Sequence, residues 1–185
     1  MTKEEIHKIC EKYSIKNYTI NYDMSIDVDG DVSFIFRDIT EIPVNFNKVK
    51  GDFICDNNYL TSLKNSPNYV SGHFSCDDNK LKSLKYCPEY VGKKFSCSYN
   101  KLDSLKYIQK IINDDLSCFS NNIKSFKDSP NVINGCLYCG INSIRSFYNL
   151  PEIKYINIHN NPIFKLWNLF GDVKHIDYFN ELSII

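Results

Sequence analysis

Residues 95–105 read FSCSYNKLDSL, and the register of that stretch returns through the chain at intervals of 21 residues. One asparagine marks each copy: Asn58, Asn79, Asn100, Asn121 and Asn142. With the asparagine as position 0, each copy has an apolar residue at −5, cysteine at −3, leucine or isoleucine at +2 and leucine or phenylalanine at +5. Self-similarity at a fixed period of this length is the signature of a solenoid, in which each unit buries its apolar face only against its neighbours.

The rows extend beyond the five regular copies. Upstream, Val32, Phe34, Ile39 and Ile42 keep the apolar positions while Arg37 replaces the asparagine. Downstream, Ile156, Ile158, Asn161, Ile163 and Leu166 keep all of them, although the step from Asn142 to Asn161 is two residues short. The register therefore predicts about seven units over residues 32–170, an N-terminal cap over 1–31 and a C-terminal cap over 171–185.

Within a unit, positions −5 to −2 alternate apolar and variable, as in a strand with one buried face. Parallel strands of successive units stack about 4.8 Å apart, so every position becomes a row along the solenoid. A buried asparagine offers two donors and an acceptor to the backbone at the turn. Serine at +4 (Ser62, Ser83, Ser104, Ser125, Ser146) can serve the next bend. Proline at +9 (Pro67, Pro88, Pro130, Pro151) excludes a regular helix on the far side, which is expected to be short and irregular. Glycine or asparagine at residues 72, 92, 113 and 135 is expected to permit a tight turn into the next strand.

The block F-x-C-x-x-N-x-L-x-x-L resembles the leucine-rich repeat consensus, and is most similar to the short repeats of bacterial and bacteriophage proteins. The lead-in YTINYDMSIDVDGDVSF (residues 18–34) resembles the opening strands of such phage proteins. The resemblance covers about three quarters of the chain. It implies parallel strands on a concave face, short convex segments, and an origin in which the partner is a host protein in the host cytoplasm.

The chain has 22 basic and 22 acidic residues, so its net charge of zero gives no overall attraction to nucleic acid or an anionic membrane. No 18-residue apolar run occurs, and the opening MTKEEIHKICEKYS is charged where a secretory signal would be apolar. Five of the eight cysteines (Cys55, Cys76, Cys97, Cys118, Cys139) occupy one repeat position on the inward face, where thiols pack as small hydrophobes and need no partner. That usage points to the cytoplasm. Thr2 and Glu5 have capping-box spacing, and Ile6, Ile9, Cys10 and Tyr13 follow at helical spacing, predicting a helix over residues 3–14. Residues 18–36 alternate as strands, with turns expected at 23–25 and 29–30.

Catalytic chemistry has no foothold here. Cys136 and Cys139 form a single C-x-x-C whose second member belongs to the inward row, and a structural zinc site needs four ligands. His7, His73, His159 and His175 are scattered, and no phosphate-binding or nucleophile motif occurs. No enzyme activity, metal or cofactor is expected.

The outward rows are not uniform along the chain. The early units present Asp52, Asp56, Asp77 and Asp78; the later ones present Tyr99, Phe119, Tyr138, Ile141, Tyr155 and His159. Tyrosine and phenylalanine supply interface hot spots, so this graded face is the expected partner-binding surface. A lysine row at +6 (Lys64, Lys85, Lys106, Lys127) could meet phosphates, but a solvated edge explains it more simply and nucleic acid is disfavoured. The expected molecule is a monomer or weak homodimer; a structural or assembly role is the competing reading.

Overall fold

A strand that must bend again at the asparagine has room for very few residues, and that is how this chain is built. The structure, a computed structural model, describes residues 1–165. It opens with helix α1 (Lys3–Lys12), started by reciprocal bonds in which Thr2 N donates to Glu5 Oε2 (2.8 Å) and Glu5 N to Thr2 Oγ1 (3.3 Å). Ile6 and Cys10 on one face of α1 are fully buried, and Tyr13 meets Phe34 edge-on at 5.1 Å.

An antiparallel hairpin follows, β1 (Tyr18–Ile20) with β2 (Ile26–Val28). Its turn is held by Asp23 Oδ1, which accepts from Ser25 N (3.0 Å) and Ser25 Oγ (2.6 Å). The remaining strands are short and pair in parallel. They are β3 (Val32–Ser33), β4 (Phe46–Val49), β5 (Phe53–Ile54), β6 (Tyr69–Val70), β7 (Phe74–Ser75), β8 (Tyr90–Val91), β9 (Phe95–Ser96), β10 (Ile111–Ile112) and β11 (Leu116–Ser117), then the longer β12 (Val132–Tyr138) and β13 (Glu152–Asn157). Partners lie one repeat apart, as in Phe53↔Phe74 and Phe74↔Phe95, so the repeat solenoid read from the asparagine spacing is the observed architecture.

Two ladders run along this solenoid. One runs β3-β5-β7-β9-β11-β12, with β13 beside β12, and carries the strand predicted at −5; β10, on the back side, joins it through the first residues of β12. The other, in the order β1-β2-β4-β6-β8, is formed by the hairpin and then by the segments after Pro43, Pro67 and Pro88. Those segments were expected to be irregular, and the structure corrects this: Tyr69–Val70 and Tyr90–Val91 pair residue for residue. The extended backbone that proline favours is itself strand-compatible, and Val70 and Val91 point into the core. We call the first ladder the front wall and the second the back wall.

The back wall is interrupted once. β8 and β10 are not ladder partners. The third regular proline position is held by Gln109, whose Oε1 accepts from Val91 N (3.1 Å), while Asn113 Nδ2 donates to Val91 O (2.7 Å). Two side-chain amides thus replace backbone pairing between these coils.

The asparagines join neighbouring coils. Asn100 Nδ2 donates to Cys76 O of the previous coil (2.9 Å) and to Cys97 O (3.3 Å) and Ser98 O (3.0 Å) of its own, and its Oδ1 accepts from Leu81 N (2.9 Å). Asn58, Asn79, Asn121, Asn142 and Asn161 repeat the pattern, all of them buried. At the next bend Ser62, Ser83 and Ser146 Oγ accept from the amide two residues on, at 3.0–3.1 Å.

Inside, Phe53, Phe74 and Phe95 stack at 5.9 and 5.1 Å. Where the −5 row shrinks to Leu116, the +5 row of the same coil grows from leucine to Phe126, which keeps the cross-section filled. The eight cysteines are free thiols. Those of the −3 row lie in the core, and Cys55, Cys76 and Cys97 Sγ donate to the next coil's carbonyl at 3.3–3.5 Å. Burial drives their ionisation upward, to about 12 for Cys118.

Gly72 does not have the left-handed backbone expected of a turn glycine. A Cβ there would lie 2.0 Å from Asp52 Oδ1, which reaches past it to accept from His73 N (2.7 Å), so what the glycine provides is room. The predicted cap at 171–185 and Leu166 of the last unit lie outside the described residues.

Candidate interaction face on the front wall

The front wall points its −4 and −2 side chains outward, and over the first coils those side chains bind the wall to itself. Asp56 Oδ1 accepts from Ser75 Oγ (2.6 Å) and Asp77 N (2.8 Å). One coil on, Asp77 accepts from Ser96 Oγ (2.7 Å) and Ser98 N (2.6 Å). The row continues as a hydroxyl pair, Ser98 Oγ to Ser117 Oγ at 2.8 Å. Burial raises the ionisation of both Asp56 and Asp77, and each also feels the other carboxylates nearby, while Lys94 pulls both down.

On the coil after Ser98 the −2 row turns aromatic at Phe119, beside Tyr99 of the −1 row. Tyr99 and Phe119 meet at 5.5 Å with planes inclined by 58°. Phe119 and His159 also meet at 5.5 Å, although they belong to coils two steps apart. Gly140 makes that possible: a Cβ at Gly140 would lie 2.8 Å from His159 Cε1 and 3.0 Å from Phe119 Cε2. The missing side chain lets two rings close over the intervening coil. His159 Nδ1 is hydrogen-bonded to Asn157 Oδ1, which holds the imidazole in that position.

Between the acidic and aromatic stretches lies an open cleft of about 370 Å³, lined by Asp77, Lys94, Ser98, Tyr99, Ser117, Phe119, Tyr138 and Asn157. Of the residues singled out from the sequence, Asp77, Tyr99, Phe119 and Tyr138 come together here, and His159 backs Phe119. Asp56 sits one coil before the cleft, and Asp78, Ile141 and Tyr155 are exposed elsewhere on the same flank. Lys94 was not among the residues singled out. It occupies the −6 row, where Asp52 stands two coils earlier, and reading that row along with the others would have found it.

Tyr99 and Ile141 have a further property that spacing alone does not reveal. The −1 row turns the corner in left-handed backbone throughout: Asn57, Asp78, Tyr99, Ser120, Ile141 and Asn160 have φ between 50° and 56°. Asparagine and aspartate tolerate this conformation, whereas a β-branched isoleucine at φ 51° is an outlier. Tyr99 is 54% exposed and Ile141 41% exposed, so neither side chain is recovered by burial.

The lysine row at +6 is solvent-exposed, and Lys85 and Lys106 lie over the rings of Tyr86 and Tyr107 at 4.9 and 5.1 Å. Cys139 is in the core while Cys136 is half-buried and raises the Tyr138 phenol through their side-chain contact, so the two thiols of the C-x-x-C occupy different environments. Among the described residues no group of three or more histidine, cysteine or acidic side chains is placed to hold a metal ion, and no helix is long and apolar enough to cross a membrane. No family model matches the chain, and neither a curated protein nor a solved structure matches it.

Proposed function

We propose that this solenoid is a non-catalytic protein-binding module that holds its partner on the front wall, at the step from acidic to aromatic coils. One observation carries the reading: large apolar side chains stand exposed at Tyr99 and Ile141, on left-handed backbone where asparagine would be less strained and more soluble. Strain of about 1 kcal/mol or more at a non-glycine left-handed residue is typical of sites where the side chain itself is required. The contiguous Tyr99, Phe119 and His159 rings supply the kind of aromatic centre around which protein interfaces concentrate their affinity.

Within the solenoids, the paired leucine rows and the asparagine row favour the short leucine-rich repeat type, with α1 and the β1–β2 hairpin as its front cap. The free thiols in the core accord with a reducing cytoplasm. On the resemblance to bacteriophage repeat proteins, the partner is a host protein that this face binds or inhibits. A pull-down from host lysate compares the native chain with a variant carrying Tyr99→Ala, Phe119→Ala and Tyr138→Ala, after circular dichroism has established that both are folded. Loss of one specific partner supports the reading, and equal recovery by the two proteins sinks it.

A second reading has its own support in the exposed lysine row, with nucleic acid as the partner. It predicts retention on heparin that falls steeply with salt. Flow-through at low salt removes it.

A further inference from the structure

The chain is neutral in total, so any attraction to a charged partner must be local. The cleft itself is lined by one carboxylate, Asp77, and one ammonium, Lys94; Asp56 adjoins Asp77 one coil earlier through its bond to Asp77 N, and Asp115 acts on Tyr138. The lysines at +6 turn away on a different corner. A cleft with aromatic rings on one side and a carboxylate on the other matches a cation that is also flat: the rings present their negative faces to it and the carboxylate its charge. Arginine fits both parts better than lysine, because the guanidinium stacks on rings and is more weakly hydrated than an ammonium. Asp77 is suited to the second part, since Ser96 Oγ and Ser98 N already hold it in place at the cleft wall.

We infer that the front-wall cleft receives an arginine side chain of the partner protein, its guanidinium against Phe119 and Tyr99 and its charge against Asp77. The inference rests on the protein-binding reading above and names the chemistry of that site. Lys94 lines the same cleft and opposes the guest, and so gives a distinctive test.

Aromatic proton and carbon resonances of the full chain are followed by NMR during titration with N-acetyl-arginine amide, using the lysine, citrulline and glutamate analogues as comparisons. Arginine should shift the Tyr99, Phe119 and Tyr138 rings saturably in the millimolar range usual for a single side chain. Citrulline, equal in shape but neutral, should bind about fivefold or more weaker, as should lysine. Phe119→Leu should weaken arginine about threefold to tenfold. Lys94→Gln, a change on a half-exposed side chain, should tighten it by removing a like charge. Equal binding of arginine and citrulline, equal binding of lysine, tighter binding of glutamate, or shifts confined to other residues would each overturn the assignment. If arginine fails while the Tyr99, Phe119 and Tyr138 triple variant still loses its partner, the cleft remains a docking site and only its ligand chemistry is wrong.

Discussion

The coils around Asn58 and Asn79 and those around Asn121 and Asn142 share their inner rows and differ almost completely outside. Inward, both have buried asparagines bonded across coils, a cysteine row and apolar residues at −5, +2 and +5. Outward, the first pair binds itself together through carboxylate-to-hydroxyl and carboxylate-to-amide contacts, whereas the second leaves aromatic rings standing over a glycine. In a solenoid the inward rows answer to stacking, and every coil needs the same solution. Outward rows answer to solvent and partner, and are free to diverge.

That division can be broken most directly at the asparagines. Asn79→Ala and Asn121→Ala each remove a side chain that satisfies four buried backbone groups, and each should cost at least about 3 kcal/mol in urea unfolding. The costs should be similar in the two halves; a marked inequality would mean that the inner scaffold is not shared. Next comes the exchange of volume between rows. Leu116→Phe alone overpacks a filled coil and should cost about 1–3 kcal/mol, while adding Phe126→Leu should restore most of it. Failure of the second change to rescue would break the complementarity seen between those rows.

Smaller effects sharpen the outward half of the comparison. Gly140→Ala should cost about 1 kcal/mol by displacing the Phe119 and His159 rings, with nuclear Overhauser contacts between them lost. Tyr99→Asn should go the other way, stabilising the fold by about 0.5–1 kcal/mol because asparagine accepts left-handed backbone, while weakening partner binding. A destabilised variant would show that the Tyr99 ring supports the coil and is not held in strain for another purpose.

The least effect is that of pH. Asp56 and Asp77 ionise at higher pH in the folded chain than ordinary aspartates, so between the two values the native state binds more protons than the unfolded one. Their contribution is therefore fully present below the unfolded pKa and lost as pH rises through the folded one. Glu4 and Asp23 are shifted down, Glu4 by backbone and Thr2 hydrogen bonds and Asp23 by Ser25, and act oppositely: their contribution is lost as pH falls. The double variant Asp56→Asn and Asp77→Asn isolates the first pair. Its melting temperature should gain on the native protein as pH rises from the ordinary aspartate range toward neutrality, since the native carboxylates lose their protons at higher pH than unfolded ones. Parallel melting curves across the range would contradict this.

The period and the inward rows were legible because stacking repeats one demand at one spacing, and five asparagines at a fixed interval leave no freedom in register. Helix α1 was legible for a local reason, the capping box of Thr2 and Glu5. The back wall was not legible, because proline at +9 excludes a helix and favours extended backbone without announcing a strand, and a short extended stretch in register with its neighbour suffices for a ladder. At the cleft, Tyr99, Phe119 and Tyr138 came from spacing alone. Lys94 and Gly140 did not, since the role of each depends on what lies one coil above or below. The left-handed corners were invisible for a similar reason: asparagine announces that conformation, and isoleucine conceals it.

The interruption of the back wall at Gln109 gives the molecule a mechanical grain. On one side the coils form an unbroken rod; on the other the rod is notched between Val91 and Ile111, where two amide side chains stand in for backbone strands. A load along the molecule is therefore carried by backbone ladders on the front wall and, at this notch of the back wall, by the two side-chain hydrogen bonds.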